Sequence, residues 1–214
     1  MTLSVGSAMT EQTSQPSWRP RIAGRSDGVD LDAARRAAGD FLVALGLDLA
    51  DENVAETPGR MARAYADMLT GPAFDLTTFP NDEEYDELVL VENIPVRSLC
   101  EHHMLPFVGV AHVGYLPSTR ILGLSKFARL VELHARRAQT QERLTKQVAD
   151  DLQRHLSPYG VGVVIEAEHT CMSLRGARVT GARTVTSALL GQLRDDRASR
   201  AEFLALARPV RGVR

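Results

Sequence analysis

The chain has 214 residues, 44% of them apolar, and 25 Lys and Arg against 27 Asp and Glu leave a formal net charge of −2. That length and composition suit one medium-sized domain with a sizeable core. The near-neutral balance gives no basis for binding nucleic acid or anionic membrane, and no apolar run reaches the roughly 18–20 residues that cross a bilayer.

Residues 1–28 have no apolar signal-peptide segment and are rich in Ser, Thr, Gln, Pro and Gly, so they read as a flexible tail. Without an export signal, Cys100 and Cys171 are expected as reduced thiols in a cytoplasmic protein. Residues 29–85 read as a helical segment. Leu31, Ala34, Ala37, Phe41, Leu42 and Leu45 recur at helical spacing, with Asp30 as cap and Gly46 as stop. Thr57-Pro58 starts a second helix, as N-cap and first-turn proline, with Met61, Ala64, Tyr65 and Met68 on its apolar side.

Residues 86–214 read as the main domain. Glu87 to Ile94 and Phe107 to Leu116 are expected strands, the second ended by Pro117. Two helices follow. Phe127, Leu130, Val131, His134 and Ala138 mark the face of the first, and Leu144, Val148, Leu152 and Leu156 that of the second. The break at Ser157-Pro158-Tyr159-Gly160 precedes an alternating strand from Gly160 to His169. Arg178 to Leu190 reads as a last strand and Ser199 to Ala207 as a short helix. This order implies an α+β fold: an antiparallel four-stranded sheet with two helices on one face, preceded by the N-terminal helical pair.

Two pieces of sequence carry metal-binding chemistry. Cys100-Glu101-His102-His103 has chelating spacing only if the backbone turns, since an extended strand points Cys100 and His103 to opposite faces. His169-Thr170-Cys171 ends the alternating strand. If the two strand ends meet, Cys100, His103 and Cys171 supply two sulfurs and a nitrogen, a set suited to zinc that leaves a fourth position open. His102 and His169 are then spare imidazoles for proton transfer, or one of them closes a four-ligand structural site. His134, on an apolar helix face, reads as a packed core histidine.

Two further stretches suggest anion and base recognition. Lys126 and Arg129 share a face at a helix start beside Ser125, which itself reads as the cap, and Arg175 is a third cation near Cys171. Thr140-Gln141-Glu142-Arg143 opens the next helix, where Thr140 or Gln141 caps it. Glu142 suits the helix dipole, and its carboxylate also matches the paired N–H groups of guanine.

Taken together these motifs resemble the GTP cyclohydrolase I family. The resemblance rests on Cys100-Glu101-His102-His103 with Leu105-Pro106-Phe107, on Gly123-Leu124-Ser125-Lys126, on Gln141-Glu142-Arg143-Leu144-Thr145, and on His169-Thr170-Cys171-Met172 with Arg175-Gly176. It runs in order from about Asp30 to Leu206. It implies the tunnelling fold, in which subunit sheets join into a barrel, here a homodecamer with sites at subunit interfaces. It implies hydrolysis of GTP to 7,8-dihydroneopterin triphosphate and formate, the first step of tetrahydrofolate or pterin synthesis, with Zn2+ as the only cofactor. By position, Cys100, His103 and Cys171 become the zinc ligands and His102 and His169 the catalytic histidines. Gln141 and Glu142 hold the guanine edge, Ser125, Lys126, Arg129 and Arg175 face the triphosphate, and Arg60 reaches a neighbouring site. Val110, Ala138 and the loop Arg178-Val179-Thr180-Gly181 depart from the family's usual residues.

Overall fold

The structure, a computed structural model, describes residues 19–22 and 28–207. Of the expected tail, residues 1–18 and 23–27 lie outside the described residues. Arg21–Ile22 forms a two-residue strand, β1, and the helical pair follows as α1 (Leu31–Ala44) and α2 (Thr57–Leu69). The Asp30 carboxylate caps α1 by accepting from the Ala33 N–H at 2.9 Å, and Gly46 turns the chain at a positive φ of 88°. The second helix starts one residue earlier than expected: Thr57 is already helical, and Glu56 takes the cap position.

Short strands β2 (Phe74–Asp75) and β3 (Thr78–Pro80) lead to the long strands β4 (Val89–Cys100) and β5 (Pro106–Leu116). After β6 (Arg120–Leu122) come α3 (Ser125–Ala135), β7 (Ala138–Gln139) and α4 (Gln141–Leu156). The chain continues through β8 (Gly160–His169), α5 (Thr170–Ser173), β9 (Thr184–Gly191), α6 (Gln192–Asp195) and α7 (Arg197–Leu206). The main sheet has the order β7-β4-β5-β8-β9. Its four long strands are antiparallel neighbours, as the sequence implies, and the two-residue β7 runs parallel to β4.

One sheet face packs on α3 and α4. Val96, Phe107, Val113, Phe127, Val131, Leu144, Val148, Val163 and Ile165 are fully buried between them. Removing each such side chain from water is worth about 1.5–3 kcal/mol. The other face carries a smaller cluster in which Phe203 of α7 lies against Val164 and Leu193. Gly162 makes room for it, because a Cβ there would sit 2.6 Å from the Phe203 ring.

Four expectations need correction. The first long strand continues past Ile94 to Cys100, with an irregularity between Val91 and Ile94 where Asn93 has φ 57°. Pro95 is tolerated within the strand because β7 covers only Leu99 and Cys100 on that side of β4. Ala138 belongs to β7 rather than to the helix, which stops at Ala135. The last strand begins at Thr184, since the preceding loop turns at Arg178 (φ 53°) and Gly181 (φ 79°). Ser125 is the first residue of α3 rather than its cap, and Leu124 holds the cap position.

Candidate metal centre and active site

Strand register brings the two cysteine-bearing pieces together. Ser98 pairs with Phe107 across β4 and β5, and Phe107 pairs with His169 across β5 and β8. The chain after Cys100 and the chain after His169 therefore leave the same end of the sheet side by side. Residues 101–105 form a tight turn in which the Met104 N–H donates to the Cys100 carbonyl at 2.8 Å and Met104 adopts φ 53°. That reversal moves His103 off the strand's alternation and back toward Cys100. The strand stops at His169, as expected, and Cys171 enters on the short helical turn α5 rather than on the strand's alternation.

The Sγ atoms of Cys100 and Cys171 and a ring nitrogen of His103 all lie within 4.8 Å of one another. Cys100 is buried, Cys171 half-buried and His103 exposed, so the group is open on one side. Burial pushes the Cys171 thiol above its usual range, and the nearby Cys100 adds to the rise while Arg175 opposes it. Two thiols held this close resist ionising together, and a divalent cation between them relieves that repulsion.

Both spare histidines stand next to this group. His102 is exposed on the turn, its Nδ1 3.8 Å from the Cys100 sulfur. His169 stacks on Phe107 with ring centroids 4.6 Å apart and an interplanar angle of 11°. Burial lowers its pKa, and Glu142 partly opposes this, which favours the neutral ring.

Gln141 decides which nitrogen of His169 carries the proton. The Gln141 amide nitrogen donates toward the Ile165 carbonyl (3.0 Å), the Thr184 carbonyl (2.9 Å) and the Thr186 hydroxyl (3.1 Å). Carbonyls only accept, so the amide nitrogen must face them and Oε1 must face His169 Nε2, 2.8 Å away. That oxygen cannot donate. His169 therefore holds its hydrogen on Nε2 and keeps Nδ1 bare. Gln141 is 1% exposed and its side-chain polar atoms are all engaged within the chain.

The remaining expected residues are spread more widely. Glu142 is exposed and lines a depression with Thr145, Lys146, Thr186 and Ser187 between α4 and the edge strand β9. Ser125 and Arg129 are exposed and Lys126 half-buried at the start of α3. Among the described residues, no hydrogen bond or ion pair joins those three to the cysteine–histidine group. Arg60 turns back on the start of its own helix and the segment before it, donating to Thr57 Oγ1 and Asn53 O. His134 is packed in the core as expected, with its Nε2 2.8 Å from Asp151. Sequence reasoning gave no role to Phe107, Thr186 or Gln139, which surround the site without chelating. The only local signal was the density of polar residues from Gln139 to Arg143.

An open set of two thiols and an imidazole, flanked by two further imidazoles at the end of an α+β sheet, is the donor set of a metal-using enzyme. Comparison with known proteins specifies it further. The sequence profile of GTP cyclohydrolase I matches residues 34–208. A protein from Streptomyces avermitilis named GTP cyclohydrolase 1 is 54% identical over 182 residues, 83% of this chain and 90% of that protein. Proteins of the same name from Mycobacteroides abscessus (53%, covering 86% and 93%) and Thermoanaerobacter pseudethanolicus (49%, covering 83% and 97%) are similarly close. The chain belongs to the GTP cyclohydrolase I family.

Proposed function

We propose that this chain hydrolyses GTP to 7,8-dihydroneopterin triphosphate and formate at a zinc site built from Cys100, His103 and Cys171. The observation that carries the reading is the convergence of these three ligand atoms within 4.8 Å beside a histidine of fixed tautomer. When bound, zinc supplies Lewis acidity that lowers the pKa of water toward neutrality. His102, exposed on the turn, protonates guanine N7 and makes C8 electrophilic. His169, neutral and bare at Nδ1, accepts a proton from water during ring opening, passes it to the departing nitrogen, and does the same when C8 is released as formate. Gln141 acts on His169 as a positioning residue, since its amide is committed to the Ile165 and Thr184 carbonyls and to His169. Glu142 holds the guanine edge, and Ser125, Lys126, Arg129 and Arg175 bind the triphosphate.

The last three of those groups are cations spread over α3 and the loop after α5, a distribution that suits a site completed between subunits. Strand β9 forms an open edge of the main sheet with Val185 58% exposed, a surface that calls for a pairing strand. We therefore assign the chain to the tunnelling fold, its sheets joined into a barrel in a homodecamer, with residues 29–85 as helical appendage and 86–214 as catalytic domain. No helix among the described residues is long and apolar enough to cross a membrane, and we place the enzyme in the cytoplasm. The test is incubation of zinc-loaded protein with GTP, followed by assay of formate and of fluorescent oxidised neopterin. Formation of both, abolished by Cys171→Ala, is the expected result. GTP that binds and survives unchanged contradicts the reading.

A further inference from the structure

The turn that carries Cys100, His102 and His103 is gripped from outside by a residue that, among the described residues, makes no hydrogen bond or ion pair to their side chains. Arg143, in the first turn of α4, donates from Nε to Gln139 Oε1 at 2.7 Å and from Nη2 to the Ala138 carbonyl at 3.0 Å. The same Nη2 makes a charge-assisted bond to the Glu101 carboxylate. Gln139 is fully buried, and its amide nitrogen donates to His134 O and Gln147 Oε1, both at 2.8 Å. The guanidinium therefore rests on a base that cannot swing. Glu101 is held a second time through its backbone, whose N–H donates to Gln139 O at 3.0 Å.

We propose that Glu101 and Arg143 form a tether that sets the Cys100–His103 turn against Cys171, making both of them positioning residues for the metal. The inference rests on the metal reading given above. Its geometric basis is the first turn of α4, which is the common reference for both halves of the site. Gln141 reaches from that turn to His169, beside Cys171, and Arg143 reaches from it to Glu101, beside Cys100. A planar fork with several fixed donors can hold one carboxylate, one amide and one carbonyl at once, which a lysine ammonium on a flexible stem cannot. The ion pair is partly exposed, with side chains 43% and 32% accessible, so it adds little to stability. Its effect falls on ligand placement, and loss of such outer contacts weakens metal sites by about 10–100-fold.

The test compares the full-length wild type with Glu101→Gln, Arg143→Lys and the double variant. Zinc affinity is read by competition with a chromophoric chelator, ligand geometry by the thiolate absorption of the Co2+-loaded protein, and folding by thermal melting of the metal-free chain. Each single variant is expected to lose roughly tenfold or more in zinc affinity and to shift the Co2+ bands, with little change in melting. The double variant loses no more than the weaker single. Lys146→Ala, which breaks the exposed pair with Asp150, keeps wild-type affinity. Wild-type affinity and spectra in both single variants, or fully additive losses in the double, overturn the tether and leave the metal reading intact. A wild type that shows no thiolate bands with Co2+ overturns both.

Discussion

Gln141→Leu separates a residue that positions a catalytic histidine from one that holds a base. Leucine keeps the volume and removes every polar atom of a side chain only 1% exposed. The Ile165 and Thr184 carbonyls lose a donor and His169 Nε2–H loses its acceptor. Each group left in this way costs about 1–3 kcal/mol. At roughly 2–4 °C per kcal/mol for a chain of this size, melting falls by about 6 °C or more, and turnover is read well below the new midpoint. The larger effect is on turnover. With no acceptor for Nε2–H, His169 is free to exchange tautomers and to rotate against Phe107, and proton transfer of this kind is worth about 10²–10⁴-fold. We expect kcat for GTP to fall about 100-fold at the least while KM stays within about threefold. A raised KM with unchanged kcat refutes the reasoning and makes Gln141 a guanine-binding residue.

Other parts of the account are open to similar tests. Replacing Cys100 or Cys171 by Ala leaves two of the three ligands, and elemental analysis of the purified variants is expected to find far less than the roughly one zinc per chain of the wild type. Phe203→Ala empties a fully buried position between α7 and the sheet, and denaturant unfolding should report a loss of about 3–5 kcal/mol. For Asp151, burial raises the carboxyl pKa, but the hydrogen bond and charge of His134, with Arg154, outweigh it and leave the pKa lowered. A depressed folded pKa gives stability that is present above the unfolded value of about 3.9 and is lost as pH falls through the folded value. Melting temperatures measured between pH 3 and 6 should therefore drop below about pH 4 in the wild type and drop less in Asp151→Asn. Equal slopes in the two proteins contradict that assignment.

Much of this fold was legible where one physical signal dominates. The strand Gly160–His169 follows from apolar alternation between a Pro-Gly break and a polar end, and its observed bounds are the expected ones. Both core helices follow from their apolar faces, and Asp30 caps α1 as its position implies. Local signals misled where tertiary packing overrides them. The first long strand is expected to end at Ile94, yet it runs on through Pro95 on a stretch of β4 that β7 does not cover. Ala138 continues a helical spacing, yet it lies in a two-residue strand that lines up with Leu99 and Cys100. Cys171 fits the alternation of β8 but arrives by a helical turn.

The site divides in the same way. The ligand types and their spacing stand in the sequence, and so does the need for a turn after Cys100. What spacing cannot give is the set of contacts made across elements. Gln141 reaches Ile165, Thr184, Thr186 and His169, which lie 24 to 45 residues further along. Arg143 reaches back 42 residues to Glu101. A polar side chain that opens a helix looks the same in sequence whether it caps that helix, meets solvent or orients a catalytic ring.

The most direct test of the central claim is to follow [8-13C]GTP by 13C NMR in the presence of the zinc-loaded protein. The account predicts that the label leaves the purine and appears as formate, in step with formation of 7,8-dihydroneopterin triphosphate. Label that stays in the nucleotide, or that stops in a ring-opened formamide, contradicts it.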